Sequence, residues 1–437
     1  MTAARALERA CDAWLRFLTP RRIRSYPTIA LGVLLLVDVL DALGVFGKSS
    51  QQRPFGGDFL GFYAAGALVT GQNSTALNDA VAQQHFQEQL LGRSSDQVAL
   101  WVSPPYFAWL FAPFACLPYW LSLTAFLAFS VGALWLLFRA LRGELSLTLS
   151  APALLFIAAR YYPTLHWFLN GQITAVWLSV LTAVFILLRK RRDFLAGFAL
   201  SLFACKPTLA LGLVVALLAA GRVRTLLAAA LGSLAFLGLG FITLPEAMRG
   251  YLHSGGALVA LVRSQGYNTA GLHGSFEFAT LLFDGVSARL ASAFGVAVAL
   301  GLSALVARMW WRKPWQPGTR AWDLSMASTL ALGVILSPHL FVYDLMLLLL
   351  PLFILLRYFP SQGGGPLGGG KLLGLVALNW GLSLLGPVLT VVQQEVTRRV
   401  LGVACAVQLG VITVLLAALA VAREARVSPA ASHTLAD

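Results

Sequence analysis

Apolar residues along this chain fall in long blocks. A block of about 17–25 apolar residues can cross a bilayer as a helix. Such blocks lie near 27–46, 120–141, 150–167, 172–189, 223–244, 286–309, 322–336, 340–358, 371–391 and 400–422. Residues 194–220 are also apolar but are interrupted by Lys206-Pro207. Pro207 lacks a backbone donor and would break a continuous helix. That stretch is either one long span or two short segments. The pattern predicts an all-α polytopic membrane protein.

The basic residues choose between the two readings. Arg5, Arg9, Arg16, Arg21, Arg22 and Arg24 precede the first span and put the N-terminus in the cytoplasm. With two short segments, Arg222, Arg224, Arg308, Arg312, Lys313, Arg320, Arg357, Lys371, Arg423 and Arg426 also fall inside. With one span those residues face outward, and only Arg249, Arg263, Arg289, Arg398 and Arg399 remain inside. The first set is the larger, so the prediction is a bundle of about 12 segments: ten full spans and a short re-entrant-like pair. Both termini are then cytoplasmic. The expected division is 1–26 as a cytoplasmic segment, 27–358 as the main membrane domain, 359–370 as a Gly-rich connector (GGGPLGGG, 363–370), 371–422 as the last spans and 423–437 as a tail.

Two long connections remain, 47–119 and 245–285, and both face outward. Within the first, DFLGFYAAGALVTG (58–71) predicts a short helix with Asp58 as N-cap and Gly71 as stop. A second, polar helix is expected near 78–92. SPPYFAWLFAPFACLP (103–118) is aromatic and proline-rich, suited to a membrane interface.

Composition removes other classes. The chain of 437 residues is 58% hydrophobic and 11% charged. Soluble domains are roughly 45–50% apolar and about 25% charged. A soluble enzyme, a disordered chain and a secreted disulfide scaffold are excluded. A net charge of +14 would suggest nucleic acid on a soluble protein, but here Lys and Arg sit in short runs between spans and set orientation. Cys11, Cys116, Cys205 and Cys405 are scattered and form no metal or redox motif. The N-terminus reads as a signal anchor rather than a cleaved signal. No GxxxxGK[ST] motif is present, which argues against an ATP-driven pump. Asn73-Ser74-Thr75 matches a glycosylation acceptor pattern, a short pattern best read as chance.

An ordered set of motifs now stands out: Asp58 before FYAAGALVTG, then SPPYFAWLFAPFACLP, Arg160-Tyr161-Tyr162-Pro163, Asn170-Gly171-Gln172, Lys206-Pro207 and SPHLFVYD (337–344). In order and spacing this resembles glycosyltransferase family 87, polyprenyl-phosphate-sugar-dependent enzymes of the GT-C superfamily that include bacterial mannosyltransferases. The likeness covers roughly 50 to 360. Residues 72–77 and 266–282 depart from the family pattern, so the acceptor is the part the likeness says least about.

The resemblance implies a GT-C-like bundle with its site on the outer face of a bacterial cytoplasmic membrane. It implies a polyprenyl-phosphate sugar donor, with mannose the expected sugar, and a lipid-linked or glycan acceptor. Membrane lipids are the other expected partners. Asp58 is the expected base, in a setting that can raise a carboxylate toward neutral. Lys206 is the candidate ligand of the donor phosphate or else a snorkelling interfacial lysine. Arg160 has the planar fork of a phosphate ligand, or pairs with Asp38 or Asp41. His339 is a further candidate for the phosphate, and Asp344 would fix a helix or orient a partner. Tyr63, Tyr106, Asn170 and Gln172 are candidates for sugar or acceptor; Asn170 and Gln172 equally suit a cap and turn. His166, His253 and His273 lack zinc-site spacing. Asp58 lies between Gly57 and Phe59, without a second acid, so no divalent metal or other cofactor is expected. The rival readings are a transporter or flippase of a lipid-linked glycan, a same-superfamily transferase of another sugar such as arabinofuranose, and a structural scaffold.

Overall fold

The computed structural model describes residues 12–42, 56–71, 73–92, 99–264, 271–358 and 369–427. The start of the N-terminal segment with Cys11, the end of the first predicted span, the outer loop up to residue 55, most of the connector and the tail past 427 lie outside the described residues. So do residues 265–270 of the second long connection.

Among the described residues the chain is helical, with one isolated bridge between Leu272 and Phe341. Helix α1 is Pro20–Ala42. The first outer connection folds as α2 (Phe59–Thr70) and α3 (Ala80–Leu91), then a 3-10 turn at Pro105–Leu110. Helix α4 is Tyr119–Leu145, followed by α5 (Ala151–Ala159), α6 (Tyr162–Asn170) and α7 (Thr174–Arg189). The interrupted stretch gives α8 (Asp193–Leu200) and α9 (Leu211–Ala219), joined by 3-10 turns on either side of Lys206. Next come α10 (Val223–Thr243), α11 (Pro245–Ser264), α12 (Ser275–Leu282), α13 (Ala288–Trp310) and α14 (Arg320–Leu336). A 3-10 turn at Val342–Leu348 leads into α15 (Leu349–Leu356), and α16 (Gly369–Leu401) and α17 (Leu409–Val427) close the bundle.

Among the described residues four helices are long and apolar enough to cross a membrane: Tyr119–Leu145, Val223–Thr243, Ala288–Trp310 and Gly370–Leu401. Several predicted spans differ. The one near 150–167 breaks at Arg160-Tyr161, because Pro163 opens a new helix at α6. The one near 340–358 is a 3-10 turn plus a short helix. The one near 371–391 runs on to Leu401, and the last begins only at Leu409. The connection 245–285 carries two helices, in keeping with the helical loops expected of this class of bundle.

Buried ion pairs draw helix ends together at one end of the bundle. Arg189 Nη1 donates to Glu144 Oε1 at 2.8 Å and Arg189 Nε to Asp323 Oδ1 at 3.1 Å. Tyr358 donates to the other oxygen of Asp323 at 2.6 Å, and Arg357 to the Leu145 carbonyl at 2.9 Å. Arg320 pairs with Glu424 at 2.8 Å. Asp193 and Arg222, the entry to α8 and the exit from α9, also pair. The interrupted stretch therefore enters and leaves at the same end, the reading that the distribution of basic residues favours. It is a hairpin with Lys206 at its far turn.

Close backbone contact holds that hairpin. On α9, Gly212 meets Gly333 of α14, and a Cβ on Gly212 would lie 2.5 Å from the Gly333 Cα. Gly212→Leu is expected to destabilise the protein by about 1–3 kcal/mol through overpacking. A lowered thermal midpoint in detergent would show it, and an unchanged midpoint would refute this account of the crossing.

Candidate active site

Polar side chains gather at the end of the bundle opposite the ion pairs. Asp58 stands just before α2 but does not cap it; no cap bond forms from its carboxylate. Instead Oδ2 accepts a hydrogen bond from Gln172 Nε2 at 2.7 Å. The backbone fixes this meeting. Gly56 N donates to the Leu169 carbonyl at 2.9 Å and Asp58 N to the Asn170 carbonyl at 3.2 Å. Gly171 ends α6 in the left-handed region at φ 62°, and a Cβ there would strike Phe59. Only glycine turns the chain here while letting α2 come so close. That turn sends Gln172 back toward Asp58.

Two residues past Gln172, Thr174 opens α7. Its hydroxyl donates to Asp344 Oδ1 at 3.0 Å. Lys206 Nζ donates to Asp344 Oδ2 at 2.7 Å. Asp344 is fully buried, whereas the Lys206 side chain stays 30% exposed. Phe341 N also donates to Asp344 Oδ2, at 3.4 Å. Lys206 is thus held at the turn by a satisfied buried carboxylate. Tyr106 flanks the turn: it is buried, and its hydroxyl accepts from Cys205 Sγ at 3.6 Å.

An aromatic row links the two sides. His166, one turn before Asn170, lies 5.9 Å from the Tyr343 ring. Tyr343 stacks on Phe341 at 5.2 Å, and Phe341 meets His339 edge-on at 4.9 Å. The Lys206 ammonium lies 6.0 Å from the Tyr343 ring centroid. Asn170 Nδ2 bonds the His166 carbonyl at 2.8 Å and contacts its Nδ1 at 3.1 Å.

At the end of the row His339 Nδ1 lies 2.8 Å from Glu277 Oε1. Sequence reasoning missed Glu277, although it is the one acid between Glu246 and Asp284. Its loop is tied down from two sides. His273 N donates to the Leu340 carbonyl at 2.7 Å and Ser275 N to the Ser337 carbonyl at 3.2 Å. From the far side Gln408, between α16 and α17, donates to the Leu272 carbonyl.

Two of the expected residues lie elsewhere. Arg160 faces α1: its Nη1 donates to the Arg24 carbonyl at 3.0 Å and to Thr28 Oγ1 at 3.2 Å. The break before α6 turns it that way. Tyr63 is buried on α2, donating its hydroxyl to the Leu117 carbonyl at 2.9 Å. Both positions were read from motif order, which does not report which face of a helix is turned inward. Among the described residues no three His, Cys, Asp or Glu side chains cluster as a metal site.

His273 gives this loop a pH dependence. Burial pushes its imidazole from 6.5 down to about 4, opposed by its bond to the Gly271 carbonyl. Between those values the unfolded chain binds more protons than the folded one. Stability is therefore full above about 6.5 and falls as pH drops toward 4. The thermal midpoint in detergent is expected to fall between pH 7.5 and pH 5, and His273→Gln to flatten that slope; an equal slope in both proteins would refute it.

A helical bundle anchored by ion pairs at one end, with an acid, a lysine and a His–Glu pair at the other, defines a multi-pass membrane protein with a polar site. The family model for glycosyltransferase family 87 matches residues 101–338, more than half of the chain. The chain belongs to that family and is a membrane glycosyltransferase. The matched range includes Gln172, Lys206 and Glu277; Asp58, His339 and Asp344 lie outside it. No curated protein and no solved structure matches the chain.

Proposed function

We propose that the enzyme moves a sugar, mannose by family likeness, from a polyprenyl phosphate to a lipid-linked or glycan acceptor, with inversion. One observation carries this reading. Gln172 holds Asp58 and Thr174 holds the Asp344–Lys206 pair, and those two α-carbons are at most roughly 7 Å apart. A base and a cation are thus anchored side by side at the start of α7, an arrangement suited to a single displacement.

Asp58 accepts the acceptor hydroxyl proton. The freed oxygen attacks the anomeric carbon while its bond to the phosphate oxygen breaks, and the electron pair leaves with the phosphate. Lys206 and His339 stabilise that leaving charge. Asn170 and Gln172 supply hydrogen bonds to the sugar or acceptor, with Tyr106 beside the Lys206 turn. A β-linked donor gives an α-linked product. One base suffices, unlike the carboxylate pair of a retaining glycosidase. No divalent metal takes part in this scheme. By the positive-inside rule the ion-paired end is cytoplasmic, so the site opens on the outer face of a bacterial cytoplasmic membrane.

The test is purified protein in liposomes with radiolabelled polyprenyl-phosphate mannose and a lipid acceptor extract. Label in a new glycolipid supports the reading. Label that crosses the bilayer unchanged identifies a flippase instead. Transfer only from a polyprenyl-phosphate pentose would keep the mechanism and replace the sugar. Loss of transfer on chelation, restored by a divalent ion, would overturn the metal-free scheme.

A further inference from the structure

Arg160 holds a charge that the transfer scheme does not use. It sits at the joint of α5 and α6, with its guanidinium 4.3 Å from the Phe156 ring centroid. The guanidinium's only hydrogen-bond partners among the described residues are the Arg24 carbonyl and the Thr28 hydroxyl, and its Nε is buried without one. No carboxylate pairs with it among the described residues. Asp38 lies about 15 Å along α1 from Thr28 by helical rise, and Asp41 lies farther still. A partly exposed arginine without a carboxylate partner leaves its charge to water or to an anion from outside the chain.

The surroundings indicate which counter-charge. Arg24 is exposed on α1, as is Arg21, and residues 20–37 contain no acid. Trp14, Phe17 and Tyr26 form an aromatic row beside them, with centroids 5.6 and 5.9 Å apart, and Arg22 lies over Phe17 at 4.4 Å. Aromatic rings mixed with arginines mark the headgroup level of a membrane. Trp14 also donates to the Gly374 carbonyl at 3.0 Å, and Trp380 to the Arg160 carbonyl at 2.8 Å. Single hydrogen bonds thus bring α1, the α5–α6 joint and α16 together beside this positive charge.

We propose that the junction where Arg160 meets Arg24 and Thr28 forms a crevice for the phosphate of an anionic phospholipid. The planar guanidinium suits a phosphodiester. The acyl chains would lie along the exposed apolar face of α1, where Ile29, Val33 and Leu36 are more than half exposed. The bound lipid would join α1 to the core of the bundle.

The experiment is thermal unfolding of the purified full chain in a neutral detergent, with phosphatidylglycerol, phosphatidylcholine or inorganic phosphate added. Ligand that binds only the folded state raises the midpoint. Phosphatidylglycerol is expected to raise the wild-type midpoint more than phosphatidylcholine does. Arg160→Gln should abolish that difference and Arg160→Lys should keep part of it. Because each variant is compared with itself, a lower starting midpoint does not confound the result. An undiminished phosphatidylglycerol effect in Arg160→Gln overturns the proposal, as does equal stabilisation of wild type by both lipids. Equal stabilisation by inorganic phosphate would make this a free-anion site and overturn the lipid assignment. Displacement of bound phosphatidylglycerol by polyprenyl phosphate, followed by native mass spectrometry, would assign the crevice to the donor and overturn it too.

Discussion

Asp58→Asn is expected to lower sugar transfer by about 100- to 10,000-fold, the range for a lost general base, with little change in stability. The amide keeps an oxygen for Gln172 Nε2, so the contact at 2.7 Å survives. The helix that follows does not need the carboxylate, since Asp58 makes no cap bond. What is lost is the ability to take a proton. Donor binding should persist, because the phosphate contacts lie on the Lys206 side. The expected result is a fall in kcat with nearly constant KM for the donor. Near-normal transfer by a well-folded Asp58→Asn would remove Asp58 from the mechanism. Gln172→Leu offers a graded comparison: the base remains, its anchor is gone, and a smaller loss is expected.

Much of this architecture was readable because membranes impose strong rules. Apolar block length marked most helices, and the basic residues around 189–192 and 222–224 required a hairpin where hydropathy alone was ambiguous. The Asp193–Arg222 pair closes that hairpin. The Asn170-Gly171-Gln172 string was legible as a turn, and Gly171 makes it one. Depth and facing were not legible. Hydropathy cannot see that Pro163 starts a new helix within an apolar block, and so it places Arg160 on a continuous span. It cannot tell that α2 is packed on nearly all sides, and so Tyr63 looked available although it is buried. Glu277 was hidden for a different reason. Its partner His339 is 62 residues away, and the contact depends on a loop clamped between residues 337–341 and Gln408.

Lys206→Met should be the more damaging single change, because it removes a cation from the site and also half of a buried ion pair. Asp344 is fully buried and accepts from Lys206, Thr174 and Phe341 N. Without the ammonium an uncompensated carboxylate remains, at a cost of about 3–5 kcal/mol. Loss of transfer in this variant would therefore not by itself show that Lys206 meets the donor phosphate. The double variant Lys206→Met with Asp344→Asn separates the two effects. The neutral amide introduced there can still accept from Thr174, and the buried charge is gone, so most of the thermal stability is expected to return. Transfer is expected to stay at least about 100-fold down, since the leaving phosphate still lacks its cation. Recovery of stability and transfer together would show that Lys206 only balances Asp344, and the phosphate would then have to be held by His339, which Glu277 orients.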